Sequence, residues 1–188
     1  MEKCTCLIAG AGMTAHAAVT AICEADSSAS VCVVGEEANP PYYRPPLSKS
    51  LWSGAPVDDI WCGTHKSGEI ILGRRITGID PAQHLAWDDE GESYKWEKLL
   101  LATGAKPRRL PFDNCDGILY YRTLDDYYEL RRVVSERGAR VGVIGGGFIG
   151  SEIAAAMALN DVEVTMFFPE NGVGGRIFPS KLSQYLNN

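Results

Sequence analysis

One arrangement occurs twice in these 188 residues, and it restricts what the chain can fold into more than any other feature. An apolar run meets a glycine-rich turn, and an alanine-rich segment follows. A polar break then leads to a second apolar run that ends at an acid. The first copy lies between residues 4 and 36 and the second between residues 140 and 170. Each reads as a βαβ unit, because short apolar runs bounded by glycine suit buried parallel strands and the segment between them has a helix period. The pattern predicts strands at 6–9 and 31–34 with a helix over Met13–Ala25. In the second copy it predicts strands at 141–144 and 162–168 with a helix over 149–159. The fold class expected is α/β, with two Rossmann-like dinucleotide-binding units.

The turns carry the chemistry. The first is Gly10-Ala11-Gly12-Met13-Thr14-Ala15, and the second is Gly145-Gly146-Gly147-Phe148-Ile149-Gly150. With 20 glycines in 188 residues, a three-glycine match alone would arise by chance about 0.2 times. The strand before and the helix after give it weight. The first glycine permits a tight turn, the second lets backbone approach a pyrophosphate, and the third small residue lets helix pack on strand. The helix N-terminus then offers free N–H groups and a positive dipole end to the phosphates. Glu36 follows Ala15 by 21 residues and Glu170 follows Gly150 by 20. Each stands where an acid accepts hydrogen bonds from a ribose. Two such sites suggest a tightly held flavin and an exchanging nicotinamide. Glu170 favours NAD over NADP, since a carboxylate repels a 2′-phosphate. Arg176 weakens that preference, because an arginine there either pairs with a phosphate or faces solvent.

Between the copies the texture changes. Residues 39–46 hold four prolines and read as turns, residues 47–52 as a short helix and residues 53–68 as loop. Residues 69–87 read as short strands broken at Gly73 and Pro81, residues 94–102 as a strand, and residues 106–115 as a connector. Residues 123–137 have a helix period stopped by Gly138, and a last helix begins near 181–186.

Composition closes off other classes. Lys plus Arg number 18 against 24 Asp plus Glu, a net charge of −6, which argues against nucleic-acid binding. The apolar stretch at 141–159 holds Ser151, Glu152 and five glycines, so no membrane span is expected. No secretory hydrophobic region precedes the first strand. Six cysteines without a C-x-x-C pair fit a reducing, cytoplasmic setting. His16, His65 and His84 form no cluster with metal-ligand spacing, so no metal is expected. Asp88-Asp89-Glu90 and Asp125-Asp126 read as solvated faces.

Residues 44–49, Arg-Pro-Pro-Leu-Ser-Lys, resemble a segment of the two-dinucleotide flavoprotein reductases within the pyridine nucleotide-disulfide oxidoreductase superfamily. More narrowly, they resemble the branch of ferredoxin and rubredoxin reductases and apoptosis-inducing factor. Residues 145–152 (GGGFIGSE), 168–170 (FPE) and 99–107 (LLLATGAKP) are similar to segments of the same branch. The resemblance implies an FAD-binding domain, first segment 1–121, and an inserted NAD-binding domain, 122–188, with only the N-terminal portion of the family present. It implies that Gly10, Gly12 and Ala15 hold the FAD pyrophosphate, with Glu36 on the ribose and Glu37 beside it. Arg44, Lys49, Ile76 and Arg122 would also contact FAD. Gly145, Gly146, Gly147, Phe148, Ile149 and Gly150 would form the NAD(P)H loop, NADH being favoured, with Glu170 and Arg176 on its adenosine side. Lys49 would lie near the isoalloxazine and pair with Glu152, and these two are the candidate catalytic residues. The expected activity passes hydride from NAD(P)H to flavin, and electrons on to ferredoxin, rubredoxin, a quinone or oxygen. The disulfide-reductase branch carries a redox cysteine pair near this region, and residues 44–49 contain none. The alternatives are a truncated, non-catalytic nucleotide-binding or NADH-responsive module, and an unstable remnant.

Overall fold

The structure, a computed structural model, describes residues 2–63, 68–112 and 115–187. His65 and part of the loop expected at 53–68 lie outside the described residues. The described residues divide into two compact units, Met1–Tyr43 with Asp58–Lys106, and Arg44–Val57 with Pro107–Asn188.

The first unit is built on a six-stranded sheet in the order β3-β2-β1-β6-β5-β4. Strands β1 (Glu2–Ala9), β2 (Val31–Gly35), β3 (Gly68–Leu72) and β6 (Ser93–Leu101) run parallel, β1 pairing with both β2 and β6. Strands β4 (Ile76–Asp80) and β5 (Leu85–Asp88) continue from β6 as an antiparallel meander. The continuous apolar runs follow from burial on both faces. One face packs Cys6, Ile8, Val31 and Val33 against Ala15 and Val19 of helix α1 (Met13–Ala25). The other buries Cys4, Leu7, Cys32 and Val34 with Ala86, Tyr94 and Trp96. Cysteine serves here as a small hydrophobe, and burial pushes the thiols of Cys6 and Cys62 up.

Asp88 departs from the solvated face expected for it. It is buried, and its carboxylate accepts the Tyr94 hydroxyl at 2.9 Å and the N–H groups of Glu90 and Glu92 at 3.0 and 2.9 Å. A short carboxylate that closes the β5–β6 turn on itself is an alternative to facing water that composition does not reveal.

The second unit contains the parallel pair β7 (Arg140–Ile144) and β8 (Glu163–Phe167), joined by α3 (Phe148–Leu159). Helix α2 (Leu124–Val134) precedes them and α4 (Ser180–Tyr185) follows. Helix α2 stops before the expected Arg137, while Gly138 has the positive φ, 78°, of a chain reversal. At its start, Asp126 is a capping residue and not a solvated charge. Thr123 Oγ1 accepts the Asp126 N–H at 3.2 Å, and Asp126 Oδ2 accepts the Thr123 N–H at 2.6 Å. Both orphan donors are satisfied reciprocally. Thr123→Ala is therefore expected to cost about 1 kcal/mol, read as a lower midpoint in urea at unchanged slope.

The short helix expected at 47–52 is instead two 3-10 turns, Pro45–Ser48 and Ser50–Ser53. The reason lies at Leu47. Its carbonyl is taken by Trp52 Nε1 at 2.8 Å and by the Tyr121 hydroxyl, so it is drawn out of a helical ladder. Tyr121 is half-buried, and the loss of water around it pushes its phenol well above the ordinary value and keeps it a donor.

Candidate functional site

In the first unit the glycine turn sits at the carboxyl end of β1, between β2 on one side and β6 on the other. That is the position at which open α/β sheets bind ligands. Gly10 has φ +109°, and a Cβ there would stand 2.2 Å from the carbonyl oxygen of Ala102, so neither conformation nor space admits a side chain. Ala15 is fully buried against β1 and β2. Gly12, which caps α1, meets nothing within 4 Å of a built Cβ. The cap has no side-chain acceptor, and the first turn of α1 has no acid. The positive end of the helix dipole is thus met by neither a capping side chain nor an acid of the first turn.

Glu36 and Glu37 follow β2. Lys106 Nζ donates to Glu36 Oε1 at 2.8 Å, and the Tyr42 hydroxyl donates to Glu37 Oε2 at 2.6 Å. Ile76 opens β4 and packs its side chain on the core. The chain just before it runs beside the acids, because Gly73 N–H donates to Glu37 O and Arg74 N–H to Gly35 O, at 3.1 and 2.9 Å. Tyr42 reads from sequence as either a cofactor contact or a packed turn residue, and Lys106 was not singled out. Lys106 stands 70 residues from its partner, and only the sheet brings them together.

The second unit repeats the turn geometry with a tighter third position. A Cβ on Gly150 would lie 2.0 Å from the carbonyl oxygen of Gly145, and one on Gly146 would lie 2.8 Å from the Phe168 ring. Gly147 caps α3 without a side-chain partner, again with nothing within 4 Å of a built Cβ. Phe148 and Ile149 follow it and are half exposed. Glu170 forms an ion pair with Arg176, whose side chain is largely exposed.

The same unit gathers the residues of the proline-rich segment. Arg44 Nη1 donates to the carbonyl of Arg122 at 2.9 Å. Lys49 Nζ donates to Glu152 Oε2 at 2.8 Å, across 103 residues of sequence. Ser48 Oγ donates to the same oxygen at 2.6 Å. Burial alone would raise the Glu152 carboxyl, but the two hydrogen bonds and the Lys49 charge outweigh it and hold it below the ordinary range. Lys49, Glu152, Trp52 and Asn160 line a cavity of about 290 Å³. Asn160 Nδ2 ties α3 to this segment through the Trp52 carbonyl at 3.0 Å. Ser48 is part of the segment quoted from the sequence, yet nothing in residue type or spacing marked it as a partner of Glu152.

Among the described residues no group of three or more His, Cys, Asp or Glu side chains is placed to hold a metal ion. No helix among them is long and apolar enough to cross a membrane.

The sequence profile described as pyridine nucleotide-disulphide oxidoreductase matches residues 5–188. The chain belongs to this family. Among curated members, it is 32% identical to apoptosis-inducing factor 1, mitochondrial, of Dictyostelium discoideum, over 98% of this chain and 40% of that protein. It is also 32% identical to the ferredoxin–NAD(+) reductase component of the 3-phenylpropionate/cinnamic acid dioxygenase of Photorhabdus laumondii, over 100% of this chain and 49% of that protein. Of solved structures, the ferredoxin reductase for the CYP199A2 system of Rhodopseudomonas palustris superposes with a TM-score of 0.89 at 29% identity. That match covers 100% of this chain and 47% of the other. The chain thus spans under half the length of these family members. The fold is the Rossmann-like α/β fold of the family.

Proposed function

We propose that this chain carries the dinucleotide-binding part of an FAD-dependent NAD(P)H oxidoreductase. In this reading FAD sits at the first glycine turn, NADH by preference sits at the second, and electrons pass on to ferredoxin, rubredoxin or another acceptor. The duplicated helix cap carries the reading. At Gly12 and at Gly147 the backbone is open to close approach, with neither a capping side chain nor an acid in the first turn. Phosphates suit that donor set.

When bound, the flavin supplies the two-electron chemistry that accepts hydride from a nicotinamide. The remaining work falls to this chain's side chains. Gly10, Gly12 and Ala15 shape the first phosphate site, Glu36 accepts from the adenosine ribose with Glu37 beside it, and the backbone at Ile76 flanks the adenine. Arg44 and Arg122 contact the flavin nucleotide. Lys49 presents a positive charge where negative charge develops on reduction, and Glu152 holds that ammonium in place. Gly145, Gly146, Gly147, Phe148, Ile149 and Gly150 form the second phosphate loop. Glu170 receives the nicotinamide dinucleotide's ribose, and its ion pair with Arg176 occupies the charge that a 2′-phosphate would need, which supports NADH over NADPH. Residues 1–121 serve the flavin and residues 122–188 the nicotinamide dinucleotide.

The protein acceptors have support in relatives named as a ferredoxin–NAD(+) reductase component and a rubredoxin–NAD(+) reductase. A cytoplasmic setting is supported by the six free cysteines.

The test is the visible spectrum of the purified chain after incubation with FAD, before and after anaerobic NADH. An oxidised-flavin spectrum that bleaches is the expected result, and Lys49→Met is expected to slow the bleaching about 100-fold, in line with loss of one electrostatic stabiliser. A chain that takes up no FAD overturns the flavin assignment. If it binds NADH nonetheless, it is the non-catalytic binding module.

A further inference from the structure

Two side chains meet at one carboxylate oxygen, and only one of them has a role in the reading above. Glu152 Oε2 receives Lys49 Nζ at 2.8 Å and Ser48 Oγ at 2.6 Å. The two donors differ physically. The Lys49 side chain is 53% exposed, ends a flexible four-carbon stem and is strongly hydrated, so on its own it anchors a partner weakly. Ser48 is buried, has one side-chain torsion and sits in a 3-10 turn of the same unit. Its hydroxyl has one proton. The alternative acceptor, the carbonyl of Pro45, is 3.5 Å away, so the proton goes to Glu152. Around the adjoining cavity, Lys49 and Glu152 are the titratable groups.

We infer that Ser48 is a positioning residue that fixes the Glu152 carboxylate in its ionised form and aims it at Lys49. The hydroxyl holds Oε2 from the rigid side. Lys49 then meets a carboxylate already in place, and less of its rotamer freedom is lost for each pairing. A charge-assisted O–H···O⁻ bond of this length belongs to the stronger class. Its relevance to hydride transfer rests on the flavin reading, but the geometry does not.

The test follows the Glu152 side-chain carboxyl by carbon-13 NMR during a pH titration of the full chain, with its signal identified by its absence in Glu152→Gln. In Ser48→Ala the titration midpoint is expected to move up. Ser48→Cys keeps a similar volume and offers only a weak donor, so it is expected to follow Ser48→Ala. In Lys49→Met the midpoint is expected to rise yet stay below that of Lys49→Met combined with Ser48→Ala. A Ser48→Ala midpoint equal to the wild type, with Lys49→Met shifted, overturns the inference, even where Ser48→Ala melts earlier. If neither Ser48 variant folds, Lys49→Met alone decides. A Glu152 midpoint still below the ordinary carboxylate value supports the remaining serine donor, and one at or above it overturns the inference. None of these readings involves a bound cofactor. A colourless chain therefore sinks the flavin assignment and leaves this one standing, and an unmoved midpoint does the reverse.

Discussion

Gly10→Ala is expected to unfold at least about 3 kcal/mol more easily than the wild type and to take up no FAD. Two costs combine. The backbone at residue 10 has φ +109°, which an L side chain rarely adopts, and the new methyl would stand 2.2 Å from the Ala102 carbonyl oxygen and 2.7 Å from its carbon. The obstacle is backbone, not the end of a flexible side chain. Ala102 is itself held by its N–H, which donates to Ala9 O at 2.8 Å, and Gly10 N–H donates to Val34 O at 2.7 Å. Relief of the clash must therefore move the ends of β1, β2 and β6 together. Chemical denaturation monitored by far-UV circular dichroism reads the first effect, and flavin uptake reads the second. Gly12→Ala makes the control for the phosphate site. A built Cβ at Gly12 meets nothing within 4 Å, so stability is expected to hold while flavin affinity falls. Equal loss of stability in both variants would show that the turn serves the fold alone.

Asp88→Ala is expected to cost about 3 kcal/mol, since it leaves buried donors unpaired. Tyr94 loses the acceptor of its hydroxyl, the N–H groups of Glu90 and Glu92 lose theirs, and Arg74 Nη1 loses a carboxylate 3.5 Å away. Burial by itself would raise the Asp88 carboxyl. The Tyr94 hydroxyl, the two N–H groups and the Arg74 charge reverse that and hold it below the ordinary value. A depressed folded value places the stabilising contribution above the unfolded carboxylate range, near pH 4, and removes it as pH falls through the folded value. Wild-type stability should therefore decline on acidification below about pH 4 more steeply than that of Asp88→Ala, whose dependence on acid loses this group. Thermal melts of the two chains between neutral and acid pH check the sign. Parallel pH profiles would remove Asp88 from the account.

What could be read in the sequence follows a physical division. Both βαβ units were legible, because burial on two faces writes an uninterrupted apolar run and a helix writes its own period. Helix α1 falls on the expected Met13–Ala25, and β7 begins one residue before its expected span. The breaks at Gly73 and Pro81 separate β3, β4 and β5 as expected. Illegible were the places where a single polar group decides. Leu47 O is drawn away by Trp52 and Tyr121, and so turns replace a helix. Asp88 and Asp126 read as surface acids because a charge run has the same composition whether it faces water or closes a turn. At the candidate site, the meeting of Lys49 with Glu152 was expected from family resemblance alone. No periodicity links residues 103 apart. Ser48 and Lys106 lay beyond reach for the same reason.

The segment Arg44–Val57 departs from the first unit at Tyr43 and returns near Ile60, where Tyr43 N–H donates to Ile60 O at 2.8 Å. Its own partners, Tyr121, Arg122, Tyr127 and Glu152, all come later in the chain. During synthesis the ribosome therefore delivers every strand of the first sheet before it delivers these four partners. A nascent chain released from the tunnel only as far as Lys106 has a complete sheet and an excursion joined at its base but without these later partners. Contacts at such separations form late, because loop closure must precede their gain. Limited proteolysis of stalled nascent chains would find residues 44–57 cleavable until α3 has emerged, and protected afterwards.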